Sequence, residues 1–308
     1  MLEEKTTKKQ NFLAGAAVLS LATMIVKVIG MFFKIPLNRL IGEANYGYFT
    51  TAYDIYTVLL MISTTGLPVA MSRMISEARA LNNGKQVRQI YRVSLMAFLS
   101  IGIIGSALML IIPKQLANMM ENPNAMWSIF ALGPAVLFVC YISACRGFFQ
   151  GQGNMAPTAV SQIIEALCKL ILGLGAVFLI LRLGFGVAEA AGGAILGVTL
   201  GTVFAAVYLF FQYRKKQVVL TEADRSIPAD STSATLKQLL KLAVPITIGS
   251  AGLQAMYLLE THLYMGQLLT YSTQAQADTM KGVYDMALTV YNMPGALTAP
   301  IIISVIPA

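Results

Sequence analysis

The segment VSLMAFLSIGIIGSALMLII, Val93 to Ile112, runs for twenty residues without one charge. A helix of about 20 apolar residues is what the hydrocarbon core of a bilayer requires. Seven more stretches of the same character flank it, at 12–35, 46–71, 125–145, 157–181, 191–212, 242–269 and 284–308. Numbered in chain order they are spans 1 to 8, with the quoted segment as span 3. They predict an all-α integral membrane protein of about eight transmembrane helices. With 56% hydrophobic and 12% charged residues and a mean hydropathy of +0.68, a water-soluble domain is excluded.

The basic residues set an expected orientation. Fifteen of the 22 lysines and arginines fall in the N-terminal tail and the segments 72–92, 146–156 and 213–241. Five lie on the other side, Lys34, Arg39, Lys114, Arg182 and Lys281, and Lys27 and Lys169 fall within spans. The positive-inside rule then makes the N-terminus of this multi-pass protein cytoplasmic. The net charge of +8 reads as contact with anionic membrane lipids and not with nucleic acid. The first apolar run is too long for a cleaved signal peptide, is interrupted by Lys27 and is followed by further spans, so it is read as retained. Cys140, Cys145 and Cys168 lie in or beside spans without metal-ligand spacing, which speaks against disulfides, zinc or another metal.

The longest polar segment, Tyr213 to Lys241, divides the chain into a six-helix lobe at 1–212, a linker at 213–241 and two further helices at 242–308. Transporters built from two repeated halves carry such a linker. A weak echo between spans 2 and 8 fits: Gly47, Ala52 and Tyr56 recur at the spacing of Gly282, Ala287 and Tyr291. If the echo is a repeat, a six-helix second lobe is expected and the chain is truncated after its first two helices.

Charges inside hydrocarbon cost about 2.5–3.5 kcal/mol each on insertion scales, so they are expected to face a cavity or a partner. In span 1, Ser20, Thr23, Lys27, Lys34 and Asn38 share one helical stripe opposite Leu21, Ile25, Val28 and Phe32, with Pro36 expected to kink its outer end. Thr50, Asp54, Thr57 and Thr64 continue the theme in span 2, Glu165 and Lys169 in span 5, and Gln254 with Glu260 beside its stripe in span 7. Spans 3, 4 and 6 are nearly free of charge, and Gly193, Gly197 and Gly201 of span 6 predict a close-packing face. Lys27 is expected to find a partner such as Asp54. Glu165 and Lys169, acid first at i, i+4, predict either a self-neutralising pair or a transport role. His262 reads as an interfacial or packed histidine.

Between spans 4 and 5 stands RGFFQGQGNMAPTAVSQIIE, Arg146 to Glu165. Three glycines permit a tight turn, Pro157 suits a helix start and Arg146 suits the headgroup layer, so Arg146, Gly147, Gln150, Gly151 and Pro157 are expected to form a hinge. This segment closely resembles the hallmark of the stage V sporulation protein B group of polysaccharide biosynthesis proteins. That group belongs to the multidrug/oligosaccharidyl-lipid/polysaccharide exporter superfamily, with the lipid II flippases and the multidrug and toxin extruders. Gly66 to Arg73 and Ile303 to Ala308 resemble it too. The resemblance implies two six-helix lobes plus an extra pair, with helices 1, 2, 7 and 8 lining a central cavity and alternating access carrying a sugar headgroup through it. One departure stands out: where Gram-negative-type lipid II flippases carry an Arg-Asp pair in helix 1, this chain has Phe33-Lys34.

Taken together, and with the location that the resemblance implies, the expected function is a monomeric flippase or exporter of the bacterial cytoplasmic membrane for polyprenyl-diphosphate-linked saccharide, a peptidoglycan precursor or another polysaccharide unit. Its expected substrate-binding residues are Lys27, Lys34, Asp54, Glu165, Lys169, Gln254 and Glu260. No cofactor is expected, and the coupling cation, Na⁺ or H⁺, stays open. A cation-coupled multidrug extruder of the same superfamily would instead rely on Asp54, Glu260 and Asp285, so the sign of the cavity separates the two. A structural membrane partner of a cell-envelope synthesis complex is a third reading. An enzyme is not expected, because Glu260 and His262 at i, i+2 point to different faces and no nucleophile is arranged with them.

Overall fold

The computed structural model describes residues 2–215, 228–292 and 294. All regular structure among them is helical. The segment Ile303 to Ala308, the later part of span 8 and the centre of the linker lie outside the described residues.

Helix α1 (Leu2–Met61) carries spans 1 and 2 as two arms. They meet at Gly42, the one residue of α1 with non-helical backbone angles (φ 77°, ψ 164°). In an unbroken helix Phe33 and Phe49 would stand about 24 Å apart at 1.5 Å per residue. Their ring centroids are 5.9 Å apart, so the chain doubles back at Gly42. A positive φ of this kind suits glycine, which has no Cβ to clash. Pro36 lies within the first arm, and the break falls at Gly42 and not at the proline.

The second arm passes through a π-helical turn (Ile62–Gly66) into α2 (Leu67–Ala80). Helix α3 (Gly84–Ile111) is span 3; its N-terminus is capped by Asn83, whose side chain accepts from the Gln86 N–H at 2.9 Å. The basic 72–92 segment is therefore mostly helix around a short turn. A short α4 (Pro113–Met119) leads to α5 (Met126–Gly151), then α6 (Ala156–Arg182) and α7 (Val187–Lys215), which carry spans 4, 5 and 6. Beyond the linker come α8 (Thr232–Leu268), capped by Ser231, and α9 (Gln274–Tyr291), which opens with a reciprocal Thr273–Gln276 capping box. Six of the described helical segments are long and apolar enough to cross a membrane, and the first of them, Ala17–Ala80, holds both arms. This is a multi-pass membrane protein.

Two buried clusters hold the bundle together. One joins both arms of α1 to α5, α6 and α7 around Phe33, Phe49, Ile129 and Val177. The other joins α2, α3, α5 and α7 to the start of α8 around Met71, Phe98, Phe148 and Leu239. Glycines set the closest approaches. A Cβ on Gly197 of α7 would collide with the backbone of Gly173 of α6, and Gly193 and Gly201 also face α6. The face expected from the four-residue glycine spacing is thus the α6–α7 contact. Leu21, Ile25 and Phe32 are exposed along the first arm, as an apolar face turned to lipid must be.

The Arg146 to Pro157 segment differs from its expected form. Arg146, Gly147, Gln150 and Gly151 are helical residues of α5, not loop. Gly147 lies against Pro68 and Met71, and Gly151 against Ser72 and Ile75, so these two glycines let α5 touch α2. Only Gly153, at φ +76°, takes the conformation of a turn. Pro157 does stand in the first turn of α6.

Candidate functional site

A cavity of about 510 Å³ opens between the two arms of α1, α6 and α9. The first arm supplies Lys27 and Lys34, the second Thr50, Tyr53 and Asp54, α6 supplies Lys169, and α9 supplies Asp285 and Thr289. The shared helical phase of Lys27 and Lys34 brings both onto this wall, as the polar stripe of span 1 predicts. Lys34 donates to Thr289 Oγ1 at 3.1 Å. Lys169 donates to the Tyr53 hydroxyl at 3.1 Å and lies 4.9 Å from the Phe33 ring centroid and 4.7 Å from that of Tyr53. A cation over an aromatic face is attracted by the ring quadrupole, which here steadies Lys169 without neutralising it.

The acids are held differently. Lys281 Nζ lies 3.3 Å from Asp54 Oδ2 and 2.8 Å from Asp285 Oδ2. Its side chain is 2% exposed. Thr50 donates a second hydrogen bond to Asp285. Asp54 is therefore not the partner of Lys27, and Lys281 is not an outer-loop lysine. Among the described residues no carboxylate lies within ion-pair distance of Lys27, Lys34 or Lys169.

The remaining expected residues sit apart from this wall. Glu165 accepts from Arg146 at 3.0 Å, with Arg146 Nε also donating to Ser161 Oγ at 2.9 Å. The acid of span 5 is thus paired across to α5 and not to Lys169 four residues on. Gln254 donates to Thr57 Oγ1 at 2.9 Å, close to Asp54 in sequence but off the cavity wall. Glu260 is exposed and accepts from the Tyr284 hydroxyl at 3.2 Å, away from the cavity. The wall is drawn from spans 1, 2, 5 and 8, and no described residue of span 7 lines it.

Lys281 and Thr289 are site residues that the expected set lacks, and Asp285 enters it only as a cation partner of a multidrug extruder. Lys281, Asp285 and Thr289 recur every four residues along one face of α9, which is the signal that could have found them. Span 8 begins at 284 by hydropathy, so Lys281 falls just outside it. The two echo glycines also meet here: a Cβ on Gly47 would stand 2.9 Å from the Asp278 carbonyl oxygen, and one on Gly282 would collide with Glu43.

A family described as polysaccharide biosynthesis protein matches residues 12–308. Stage V sporulation protein B of Bacillus subtilis (strain 168) is 26% identical over 304 residues, which cover 97% of this chain and 58% of that protein. The lipid II flippase MurJ of the same organism is 30% identical over 217 residues, covering 67% of this chain and 40% of that protein. The chain therefore spans about half the length of these curated relatives. In fold it is similar to a MATE transporter solved in the straight conformation, with a TM-score of 0.69 at 16% identity over 96% of this chain and 63% of that one. It is also similar to an inward-facing multidrug resistance MATE family transporter of the MOP superfamily, at TM-score 0.65 and 14% identity over 90% and 64% of the two chains.

Proposed function

We propose, for a chain that belongs to the polysaccharide biosynthesis protein family, that its cavity receives the diphosphate of a polyprenyl-linked saccharide and passes the headgroup across the membrane by alternating access. One observation carries this reading. Asp54 and Asp285 are both occupied by Lys281, and the ammonium groups of Lys27, Lys34 and Lys169 are left facing the cavity without a carboxylate. Ammonium groups in a low-dielectric wall attract a multiply charged anion strongly, and charge-assisted hydrogen bonds to phosphate oxygens are the contacts they would make. Thr50, Tyr53, Thr289 and Asn292 add hydroxyls and an amide of the kind that bind sugars. A multidrug extruder of cations needs free carboxylates at the same place, and both are engaged.

The relatives named as a sporulation protein and a lipid II flippase support a peptidoglycan precursor as cargo, with the lipid tail left in the bilayer. The reading is tested by replacing Lys27 with alanine. Lys27→Ala is expected to reach the membrane at the normal level and to fail in restoring growth to a flippase-deficient strain. Full restoration would reduce Lys27 to a lysine of no transport consequence.

We also propose that the end of the bundle carrying the 72–92, 146–156 and 213–241 segments is cytoplasmic, since it holds most of the basic residues. Single cysteines at Lys85 and Asn82 are then expected to react with an impermeant maleimide only after the cells are opened. Cysteines at the exposed Gln115 and Gln276 are expected to react in intact cells. Labelling of Lys85 positions from outside would reverse the orientation.

A further inference from the structure

The cavity's three open lysines depend on a fourth that does not line it. We infer that Lys281 is a specificity-determining residue: by acting as the internal counterion of Asp54 and Asp285 it keeps the cavity selective for anions. This inference rests on the anion-binding reading given above.

The geometry places Lys281 behind the wall and the two acids in it. Asp54 and Asp285 both line the cavity, one from the second arm of α1 and one from α9. Lys281 stands one helical turn before Asp285 and is buried between the two carboxylates. Without it, two negative charges would face the same space as the lysines. The acids would not stay unpaired. Lys34 is already hydrogen-bonded to Thr289, which donates to the Asp285 carbonyl one turn away. Lys34 is therefore the ammonium group that the vacant carboxylates would recruit. Once it is engaged, only Lys27 and Lys169 remain open, beside carboxylates that are no longer covered. An anion would then meet like charge in a weakly screened site, and a lipophilic cation would find a carboxylate and the aromatic rings of Phe49 and Tyr53.

A merely structural Lys281 would affect folding and leave the sign of the preferred ligand alone. The charge of the ligand is thus the readout. Purified protein in nanodiscs is titrated with geranylgeranyl diphosphate as the anionic probe and tetraphenylphosphonium as the cationic one. The wild-type chain is expected to bind the diphosphate and not the phosphonium. Lys281→Met is expected to weaken diphosphate binding by at least about tenfold, the scale of bringing like charges together, and to gain phosphonium binding. Lys281→Arg should keep the wild-type preference. The triple variant Asp54→Asn, Asp285→Asn, Lys281→Met removes the acids together with their counterion and should recover diphosphate binding.

A folded Lys281→Met protein with wild-type diphosphate affinity and no phosphonium binding overturns the inference. If Lys281→Met does not fold, the triple variant decides: wild-type diphosphate affinity supports the inference, and its loss in a folded protein overturns it. If the wild-type chain binds no diphosphate, the reading under Proposed function fails instead. The role of Lys281 is then judged by the phosphonium alone, which must bind Lys281→Met and not the triple variant, and any other pattern overturns it.

Discussion

Helix α6 turns two unlike faces to its neighbours. Toward α7 it presents Gly173, packed so closely on Gly197 that no side chain fits between the backbones. Toward the cavity it presents Lys169, set between the Phe33 and Tyr53 rings with open space beyond. Helices in lipid gain little from hiding apolar surface against one another, so close van der Waals packing at small residues decides where they touch. Polar groups decide where they part, because a charge facing hydrocarbon is costly and a charge facing a cavity is not. The glycine face therefore fixes the frame, and the lysine face leaves room for a ligand.

The contrast breaks first at the glycine face. Gly197→Leu would force α6 and α7 apart, and the expected cost of about 3 kcal/mol for such overpacking is enough to remove most folded protein from the membrane. Fluorescence-detected size exclusion of the solubilised protein measures this. Gly192, with nothing near its missing Cβ, serves as the control, and Gly192→Ala should elute as the unaltered chain does. Equal profiles for Gly197→Leu and Gly192→Ala would remove the distinction between a packed and an open side.

A smaller loss is expected at the Arg146–Glu165 pair, which holds the other part of α6 to α5. The two side chains are 16% and 29% exposed, so stranding Glu165 in Arg146→Ala should cost about 2 kcal/mol, less than a fully buried pair. The melting temperature of the purified variant should fall, and Arg146→Met combined with Glu165→Gln should regain most of it. An unchanged melting temperature for Arg146→Ala would make the pair incidental.

The smallest effect sharpens the comparison. Because Glu165 is paired with Arg146, it should couple to Lys169 by less than about 0.5 kcal/mol in a double-mutant cycle. Lys169→Met, which loses only the Tyr53 hydrogen bond and two ring contacts, should lower transport far more than it lowers abundance. A coupling well above that limit would restore the pairing within one helix that the i, i+4 spacing implies.

The residues differ in how plainly they announce themselves. The spans are legible because hydropathy is a property of each segment alone, and the stripe of Lys27 and Lys34 is legible because helical phase is too. The α6–α7 contact follows from glycines at four-residue steps for the same reason. What escapes is set by more than one segment. Glu165 has a cation four residues away and takes one from a neighbouring helix instead. Lys281 precedes the apolar run that marks span 8, and nothing local says that Asp54, some 230 residues earlier in the chain, lies against it. Gly42 carries no sign that it, and not Pro36, turns the chain back. Glu260 shares the neighbourhood of a polar stripe, but its carboxylate accepts from Tyr284 outside the cavity.

The proposed diphosphate site rests on three cavity lysines that lack a carboxylate partner among the described residues. Its most direct test is native mass spectrometry of the intact chain with an undecaprenyl-diphosphate-linked disaccharide and with the corresponding monophosphate. The wild-type chain is expected to retain the diphosphate lipid in preference to the monophosphate. Lys27→Gln, Lys34→Gln and Lys169→Gln together are expected to abolish that preference while the protein stays folded. Equal retention of the diphosphate lipid by the wild-type chain and the folded triple variant would contradict a diphosphate site at these lysines.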